Sequence, residues 1–379
     1  MKLKHLFLVI FLSVFSLNIQ CQTQVEKKMI TKEKFGVTPS GETIYIYTLV
    51  NSSGTKVRII NYGAIVQSLF VADRDKKLAD VVLGFDSLEQ YLKPNPFFGA
   101  IVGRFGNRLN KAKFTLDGNT YQLSANEGQN QLHGGFKGFD KRVWNSEEVE
   151  SKFGPAVKLT YHSADKEEGY PGNLDLSVTY ILTDENELRI DYHAVTDKPT
   201  ILNPTHHSYF NLSGSFANSI LDEKLWIDAD KFTPINNESI PSGDLADVSN
   251  TPLDFRKAFM IGERINSDDR QIKNAKGYDH NWVLNNYNGT VRKVATVYDT
   301  LSGRFMEVLT DQPGIQFYSG NFLDGSLLGK GGIPCRHRTA LCLETQHFPD
   351  SPNHANFPST VLRPGEVYTQ TTIYRFSAK

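Results

Sequence analysis

The sequence has few cysteines and almost no net charge, and both absences narrow the classes of protein that it can encode. Only three of its 379 residues are cysteines, so disulfides cannot be the main framework of a chain of this length. We therefore expect Cys335 and Cys342 to be free thiols. The formal net charge of −1 at pH 7 gives no basic surface for nucleic acid or for anionic membranes. We expect no polyanionic partner.

Helical periodicity, linker-like tracts and internal repeats are also scarce. The one short helical candidate is Ser87–Leu92. There is no Pro/Ser-rich linker, no low-complexity tract and no repeat period of the kind that indicates a propeller or a solenoid. The length would allow two domains, but all-β domains often run this long as single units. We expect one domain over residues 22–379.

Residues 1–21 differ from the rest and have the pattern of a secretory signal peptide. Lys2 and Lys4 precede the almost wholly apolar run Leu6–Leu17, and polar residues follow from Asn18. The run is shorter than the ~20 residues of a membrane-spanning helix, so we expect export to the periplasm or the extracellular space. No A-x-A cleavage site is present. Lipidation at Cys21 is an alternative, although the three residues before it make a poor lipobox.

Strand signals dominate the remaining sequence. Three stretches have the form of hairpins: Lys113–Leu123 around Asp117-Gly118, Leu176–Val195, and the strands that flank Ser302-Gly303. Val367–Phe376 alternates apolar and polar residues near the end of the chain. The pattern predicts an all-β fold, a large antiparallel β-sandwich with long loops. Further segments rich in β-branched and aromatic residues are Thr43–Val50, Val57–Ile60, Val66–Val71, Val157–Tyr161 and Lys224–Ile227.

Two distant segments carry side chains suited to proton transfer. Asn203–Leu212 (NPTHHSYFNL) contains two adjacent histidines and a tyrosine, and Leu341–Asp350 (LCLETQHFPD) places Glu344 inside a strand-like apolar run. Because side chains alternate along a strand, Glu344 lies on the face opposite Leu343. A histidine and a glutamate are the minimal equipment for acid and base catalysis on one small substrate. A hydrogen-bonded structural histidine is the alternative.

Four other polar segments lie where predicted strands end. Each has an alternative structural interpretation, because glycine-flanked loops, turn histidines and turn aspartates are common in β proteins. An amide next to a guanidinium, however, can bind neighbouring hydroxyls. The segments are Gly103–Asn110 with Asn107 and Arg108, Gln131–Gly135 with His133, Gly277–Leu284 with Asp279, and Gln312–Asn321 with Gln316.

Together and in this order, these segments resemble the aldose 1-epimerase (galactose mutarotase) family. The resemblance runs from about Lys34 to the C-terminus. It implies the galactose mutarotase type of β-sandwich and an isomerase that interconverts the α and β anomers of free hexoses such as glucose and galactose. It implies no cofactor and no metal. The motifs that carry it are GRFGNR, LHGG, EGYPGNL at Glu168–Leu174, NPTHHSYFNL, GYDHN, PGIQFYSGNF and LETQHFPD.

The resemblance also implies roles for individual residues. His207 matches the general acid of the family and Glu344 matches its general base. The residue before the acid is commonly asparagine in the family and is His206 here, but the position relative to Tyr209 and Phe210 favours His207. The residues that match the sugar-binding positions are Asn107, Arg108, His133, Tyr209, Asp279 and Gln316.

For His207 to donate a proton, it must be charged near neutrality, so we expect a carboxylate or polar group beside it. A bell-shaped rate profile against pH should follow, with Glu344 controlling the acid limb and His207 the alkaline limb. We expect no metal site, because no histidine pair has i, i+4 spacing and the adjacent pair points to opposite faces of a strand. The expected partner is an aldose sugar bound by a monomer.

Three other functions compete with this prediction. A glycosidase would need a second catalytic carboxylate, for which Asp279 is the candidate. A non-catalytic carbohydrate-binding module would need neither His207 nor Glu344. A mutarotase for hexose 6-phosphates would need a cluster of basic side chains, and Arg108 is the only obvious one.

Overall fold

The structure, a computed structural model, describes residues 29–379. The predicted signal peptide and Cys21 lie outside these residues, so cleavage, lipidation and the start of the predicted domain stay predictions. The described chain is almost entirely β. Two short helices, α1 (Leu88–Tyr91) and α2 (Arg270–Ala275), interrupt it, as do single 3₁₀ turns at Asn110–Ala112, Phe139–Lys141, Glu167–Gly169, Ile261–Glu263, Lys330–Gly332 and Ser351–Asn353.

Among residues 29–379, the first half of the chain contains fourteen strands. They are β1 (Met29–Val37), β2 (Thr43–Val50), β3 (Lys56–Ile60), β4 (Ile65–Ala72), β5 (Leu78–Asp80), β6 (Ile101–Val102), β7 (Arg108–Leu109), β8 (Lys113–Leu116), β9 (Asn119–Gln122), β10 (Gln131–Leu132), β11 (Asn145–Val149), β12 (Ala156–Ser163), β13 (Leu174–Leu182) and β14 (Glu187–Thr196).

The second half of the chain supplies thirteen further strands within the described residues. They are β15 (Thr200–Ile201), β16 (Thr205–His206), β17 (Lys224–Ile227), β18 (Lys231–Thr233), β19 (Ala246–Asp247), β20 (Phe259–Met260), β21 (Asp279–Val283), β22 (Arg292–Tyr298), β23 (Arg304–Thr310), β24 (Gly314–Tyr318), β25 (Cys342–Gln346), β26 (Val361–Leu362) and β27 (Tyr368–Ala378).

Three antiparallel sheets form the body of the fold. The first has the order β1-β2-β3-β4-β5, the second has nine strands in the order β11-β12-β13-β14-β27-β23-β22-β17-β20, and the third has the order β19-β18-β21-β24-β25. The remaining strands form two-stranded pairs, among them β16 with β6 and β10 with β7. The prediction of a large antiparallel β-sandwich is therefore confirmed.

The third sheet matters for function because one of its strands separates the core from the site. On β25, Leu343 belongs to the main hydrophobic core, and Thr345 Oγ1 lies 2.5 Å from Thr372 Oγ1 of β27. Cys342 and Glu344 alternate with these residues and therefore face the other way. This arrangement confirms the face predicted for Glu344.

The predicted hairpins are present. Asp117 and Gly118 adopt φ values of 49° and 79°, the left-handed conformations that a tight two-residue hairpin turn requires, and they join β8 to β9. The other two hairpins are β13–β14 and β22–β23. The helix predicted in Ser87–Leu92 is α1, whereas α2 had no clear sequence signal.

Both cysteines in the described part of the chain are free and buried, as expected. Within residues 29–379, no helix is long and apolar enough to cross a lipid bilayer.

Candidate active site

The predicted site residues converge on one cavity of about 250 Å³. Of the eight residues predicted to act or bind, seven line it, and the eighth, Gln316, is buried beside Asp279. Segments that are far apart in the chain thus meet beside three strands of the third sheet, β21, β24 and β25. The lining consists of Pro96, Phe97, Asn107, Arg108, Glu127, Leu132, His133, His207, Tyr209, Asp279, Tyr318, Phe322 and Glu344.

His207 and Glu344 form the centre of the cavity. His207 Nε2 lies 3.6 Å from Glu344 Oε1, and both side chains are buried, with 5% and 2% of their surface exposed. The histidine follows β16, where its backbone N–H donates to Ala100 O at 2.8 Å, and the glutamate lies on β25. Each group is thus fixed by backbone hydrogen bonds. An acid and a base are held side by side at the wall of a pocket.

The two adjacent histidines point into different environments, as predicted. The ring of His206 lies in the core, with its centroid 6.0 Å from that of Tyr180 and 5.9 Å from that of Tyr374. Its Nε2 lies 2.7 Å from Ser208 Oγ. His207 faces the cavity instead. The extra histidine in the motif therefore does not compete for the catalytic position.

Asp279 is fixed by two neighbours. Gln316 Nε2 donates to Asp279 Oδ1 at 2.7 Å, which is a direct consequence of the register between β21 and β24. Arg108 Nη1 lies 3.5 Å from Asp279 Oδ2. Gln316 therefore orients Asp279. Its direct contact with a sugar stays a prediction.

Arg108 makes its strongest contacts with a residue that the sequence analysis missed. Its Nε and Nη2 donate to the two carboxylate oxygens of Glu127 at 2.8 and 3.0 Å, a bidentate pair. Burial opposes the charged form of Arg108, but the carboxylates of Asp279 and Glu127 outweigh it and raise the pKa of the guanidinium above its ordinary value. Arg108 is a permanent cation whose charge is already balanced.

His133 and Asn107 hold each other in place. The backbone N–H of Asn107 donates to His133 Nδ1 at 3.1 Å, and the backbone N–H of His133 donates to Asn107 O at 3.1 Å. Burial lowers the pKa of His133 well below its ordinary value, and His207 and Arg108 lower it further. The ring is therefore neutral, and because Nδ1 accepts a hydrogen bond, its proton lies on Nε2. His133 can donate a hydrogen bond to a ligand.

The glycines after His133 allow two loops to approach closely. Gly134 has a φ of 88°, and a side chain there would overlap the backbone carbonyl of Gly103. The absence of a side chain at Gly134 therefore lets this loop pack directly against the backbone of Gly103.

Burial dominates the electrostatics of the His207–Glu344 pair. It lowers the pKa of His207 to about 4. Burial also raises the pKa of Glu344 well above its ordinary value, and Asp279 raises it further while Arg108 lowers it. Both groups therefore favour their neutral forms. The expected carboxylate is beside His207, but the expected charged imidazole is not the resting form, because desolvation opposes it.

Three possible metal ligands come together in the same cavity. The side-chain donor atoms of His133, His207 and Glu344 lie within 4.8 Å of one another, a proximity that sequence spacing could not reveal. However, a metal needs the lone pair of a histidine nitrogen, and His133 Nε2 carries the ring proton because Nδ1 accepts from Asn107. The donor set suits a polar organic ligand better than a cation.

Several lining residues had little or no sequence signal. Glu127 pairs with Arg108 across a loop, which no local pattern indicates. Tyr318 could have been found, because on β24 it shares a face with Gln316. Phe97 and Phe322 complete the aromatic wall; Phe322 is 53% exposed and stacks on Tyr318 with the two rings 17° from parallel. These aromatic faces match the apolar faces of a sugar ring.

Comparison with known proteins gives the family. The family model described as aldose 1-epimerase matches residues 45–375. Galactose mutarotase of Bos taurus is 43% identical over 348 residues, which cover 92% of this chain and 98% of the relative. Aldose 1-epimerase of Escherichia coli (strain K12) is 38% identical over 345 residues, which cover 90% of this chain and 98% of the relative.

A solved structure agrees with these sequence relatives. The crystal structure of galactose 1-epimerase from Lactobacillus acidophilus NCFM superposes with a TM-score of 0.81 at 30% identity, covering 93% of this chain and 99% of that chain. The region that the family model matches, residues 45–375, includes every residue that lines the cavity. The chain belongs to the aldose 1-epimerase family.

Proposed function

We propose that this protein is an aldose 1-epimerase, an isomerase that interconverts the α and β anomers of free hexoses such as galactose and glucose. The observation that carries the proposal is the His207–Glu344 pair, 3.6 Å apart, in the wall of a polar and aromatic cavity. Membership of the family supports the same reaction. The relatives are named for galactose and for aldoses in general. These names support an aldose substrate, and the choice of galactose and glucose is our own proposal.

The reaction needs one proton removed and one proton added at neighbouring oxygens. Glu344 takes the proton of the C1 hydroxyl while His207 donates a proton to the ring oxygen, and the bond between C1 and the ring oxygen breaks to give the open aldehyde. Rotation about C1–C2 then presents the other face of the carbonyl. Ring closure reverses both transfers: Glu344 gives its proton to the carbonyl oxygen, while His207 takes the proton of the hydroxyl that re-forms the ring. Each positioned proton transfer contributes roughly 10²–10⁴-fold to the rate.

The pKa shifts are compatible with this cycle. The pair shares one transferable proton. This proton lies either on Glu344, with His207 neutral, or on His207, with Glu344 ionised. A sugar that hydrogen-bonds to both groups replaces the lost solvation, so the proton can move from the carboxyl to the imidazole in the complex. The pair therefore needs no proton from solvent to begin a turnover.

The other polar groups would hold the sugar while C1 turns. His133 Nε2–H is a donor and the Asp279 carboxylate is an acceptor, and both are fixed by neighbours rather than by solvent. Asn107 presents its amide nitrogen, since its Oδ1 accepts from the backbone of Arg108 at 2.9 Å. Preorganised partners of this kind lower the entropic cost of orienting a substrate.

The contacts of Asp279 and Arg108 disfavour two competing functions. A glycosidase would use Asp279 as its second carboxylate, but Arg108 and Gln316 already contact both of its oxygens. A sugar-phosphate mutarotase would need a free cation, but Arg108 is bidentate on Glu127. An unphosphorylated monosaccharide therefore fits best.

Polarimetry tests the proposed function. Purified protein without the first ~21 residues is added to fresh α-D-glucose and, separately, to fresh α-D-galactose. We expect the optical rotation to approach equilibrium faster than in buffer, and the ratio of the two rates gives the preferred hexose. An unchanged rate with both sugars, in a folded sample, would contradict the proposal. Release of reducing ends from an oligosaccharide would indicate a glycosidase instead.

We also propose that the protein is exported, on the basis of the leader in residues 1–21. An exported epimerase could equilibrate anomers before sugar uptake. Cell fractionation with N-terminal sequencing tests this: we expect the mature chain outside the cytoplasm with Met1 absent. Cytoplasmic protein that retains Met1 would contradict export. A lipid on Cys21, detected by mass spectrometry, would show membrane anchoring.

A further inference from the structure

The thiol of Cys342 lies against the side of the His207 ring opposite Glu344. Its Sγ is 3.6 Å from His207 Nδ1, while Glu344 Oε1 is 3.6 Å from Nε2. Cys342 and Glu344 are alternate residues of β25, so both side chains project from the same face. One strand therefore contacts both nitrogens of the catalytic histidine.

The proposed reaction restricts what Nδ1 can do. In each turnover Nε2 gives a proton to the sugar and later takes one back. If Nε2 gave up its proton while Nδ1 carried none, the product would be an imidazolate, which is far too basic to form here. Nδ1 must therefore keep its proton throughout. A buried N–H needs an acceptor. The ring of His207 has a backbone hydrogen bond within its own residue, and among the described residues Cys342 Sγ is the side-chain partner that the structure gives Nδ1.

We propose that Cys342 is a positioning residue: its sulfur accepts a hydrogen bond from Nδ1–H of His207 and thereby keeps Nε2 available for proton exchange with the sugar. This inference rests on the proposed function. Cys342 does not touch the substrate, and it acts only through the tautomer and orientation of His207.

Sulfur suits this position because it is a weak and neutral acceptor. A carboxylate next to Nδ1 would strongly stabilise the charged imidazole and make it a weaker acid. The thiol avoids this, since burial raises the pKa of Cys342 well above its ordinary value, and Glu344 and Asp279 raise it further. The group is therefore neutral over the working range of the enzyme. It fixes the tautomer while leaving His207 a strong acid.

The experiment compares Cys342→Ala, Cys342→Ser and the control Cys335→Ala in full mature protein. Cys335 is also free and buried, but its sulfur lies next to Gly329 and not against the His207 ring. We expect kcat to fall on the order of tenfold in Cys342→Ala, as for the loss of one hydrogen bond that matters in the transition state, with KM unchanged. Cys342→Ser, whose hydroxyl can also accept, should recover most of kcat. The control should match the parent.

A second readout does not depend on activity. The ¹⁵N chemical shifts of the His207 ring report which nitrogen carries the proton. We expect a protonated Nδ1 in the parent and in Cys342→Ser, and a shift toward protonated Nε2 in Cys342→Ala. If Cys342→Ala fails to fold, the spectra of the parent and of Cys342→Ser still show whether Nδ1 of His207 carries the proton.

Two results would overturn the inference: a neutral His207 with its proton on Nε2 in the parent, or a folded Cys342→Ala with unchanged kcat and unchanged ring shifts. Failure of the proposed function looks different. In that case the parent does not accelerate mutarotation, yet the ring shifts still show whether Cys342 sets the tautomer.

Discussion

His206 and His207 are neighbours in the chain, yet they lie in two different regions of the molecule. His206 points into the core between Tyr180 and Tyr374, and His207 points into the cavity beside Glu344. Burial lowers the pKa of both, to about 3 for His206, where His207 contributes further, and to about 4 for His207. A depressed pKa alone therefore does not distinguish a structural histidine from a catalytic one.

The partners make the distinction. His206 has hydroxyl neighbours, Ser208 and Tyr180, which can satisfy a neutral ring but cannot exchange protons with it near neutrality. His207 has a carboxyl group at one nitrogen and a thiol at the other, and its ring borders a cavity large enough for a sugar. Perturbed pKa values indicate a functional site only in combination with such partners and access.

The largest expected effect comes from removing the base. Glu344→Gln keeps the size of the side chain but cannot accept the C1 proton, so we expect kcat to fall by roughly 10²–10⁴-fold. Glu223 is a matched control, because burial raises its pKa to about 8 although it does not line the cavity. Polarimetry measures kcat for both variants and for the parent. Equal losses in Glu223→Gln and Glu344→Gln would show that any buried glutamate produces the effect.

A smaller loss is expected at Asp279. Asp279→Asn removes a charged acceptor, and hydrogen bonds to charged groups are worth about 1.5–3 kcal/mol; we expect kcat/KM to fall by roughly 10–100-fold. Gln316→Leu removes only the residue that orients Asp279, so its loss should be smaller. Steady-state polarimetry gives both values. A larger loss in Gln316→Leu would assign direct sugar binding to Gln316.

The pH profile tests which residue controls each limb. In the free enzyme His207 takes up a second proton only below about pH 4, and Glu344 keeps its proton well above its ordinary pKa. The acid limb of kcat/KM should therefore lie near pH 4 and belong to His207, and Glu344 should control the alkaline limb. This reverses the assignment predicted from the sequence. An acid limb near pH 6.5 would contradict it.

The smallest effect on turnover is expected for His206→Asn. We expect near-normal kcat but a loss of roughly 1–3 kcal/mol in the free energy of unfolding, because buried hydroxyls lose a partner. From about pH 6.5 to 3, the unfolded chain protonates His206 but the folded protein does not, so acid destabilises the parent through this residue. The stability difference between parent and variant should narrow over that range. Urea titrations at several pH values measure it.

The sequence predicted the strand-borne part of the site best. Alternation along β25 was enough to place Glu344 opposite the core, and the family motifs identified seven residues that line the cavity. The contacts between side chains of the site could not be predicted from the sequence. Glu127 pairs with Arg108 across a loop, and Gln316 supports Asp279 instead of lining the cavity, because both depend on side-chain packing between distant segments. The resting protonation of His207 was also missed, since burial of the assembled pair sets it.

The central claim is that His207 and Glu344 act as one unit, and a double-variant cycle tests it most directly. Polarimetry would compare Glu344→Gln, His207→Asn and the variant carrying both changes. Residues that act together give non-additive losses, so we expect the double variant to be about as slow as the slower single variant. Losses that multiply would mean that the two residues act independently, and that result would contradict the account.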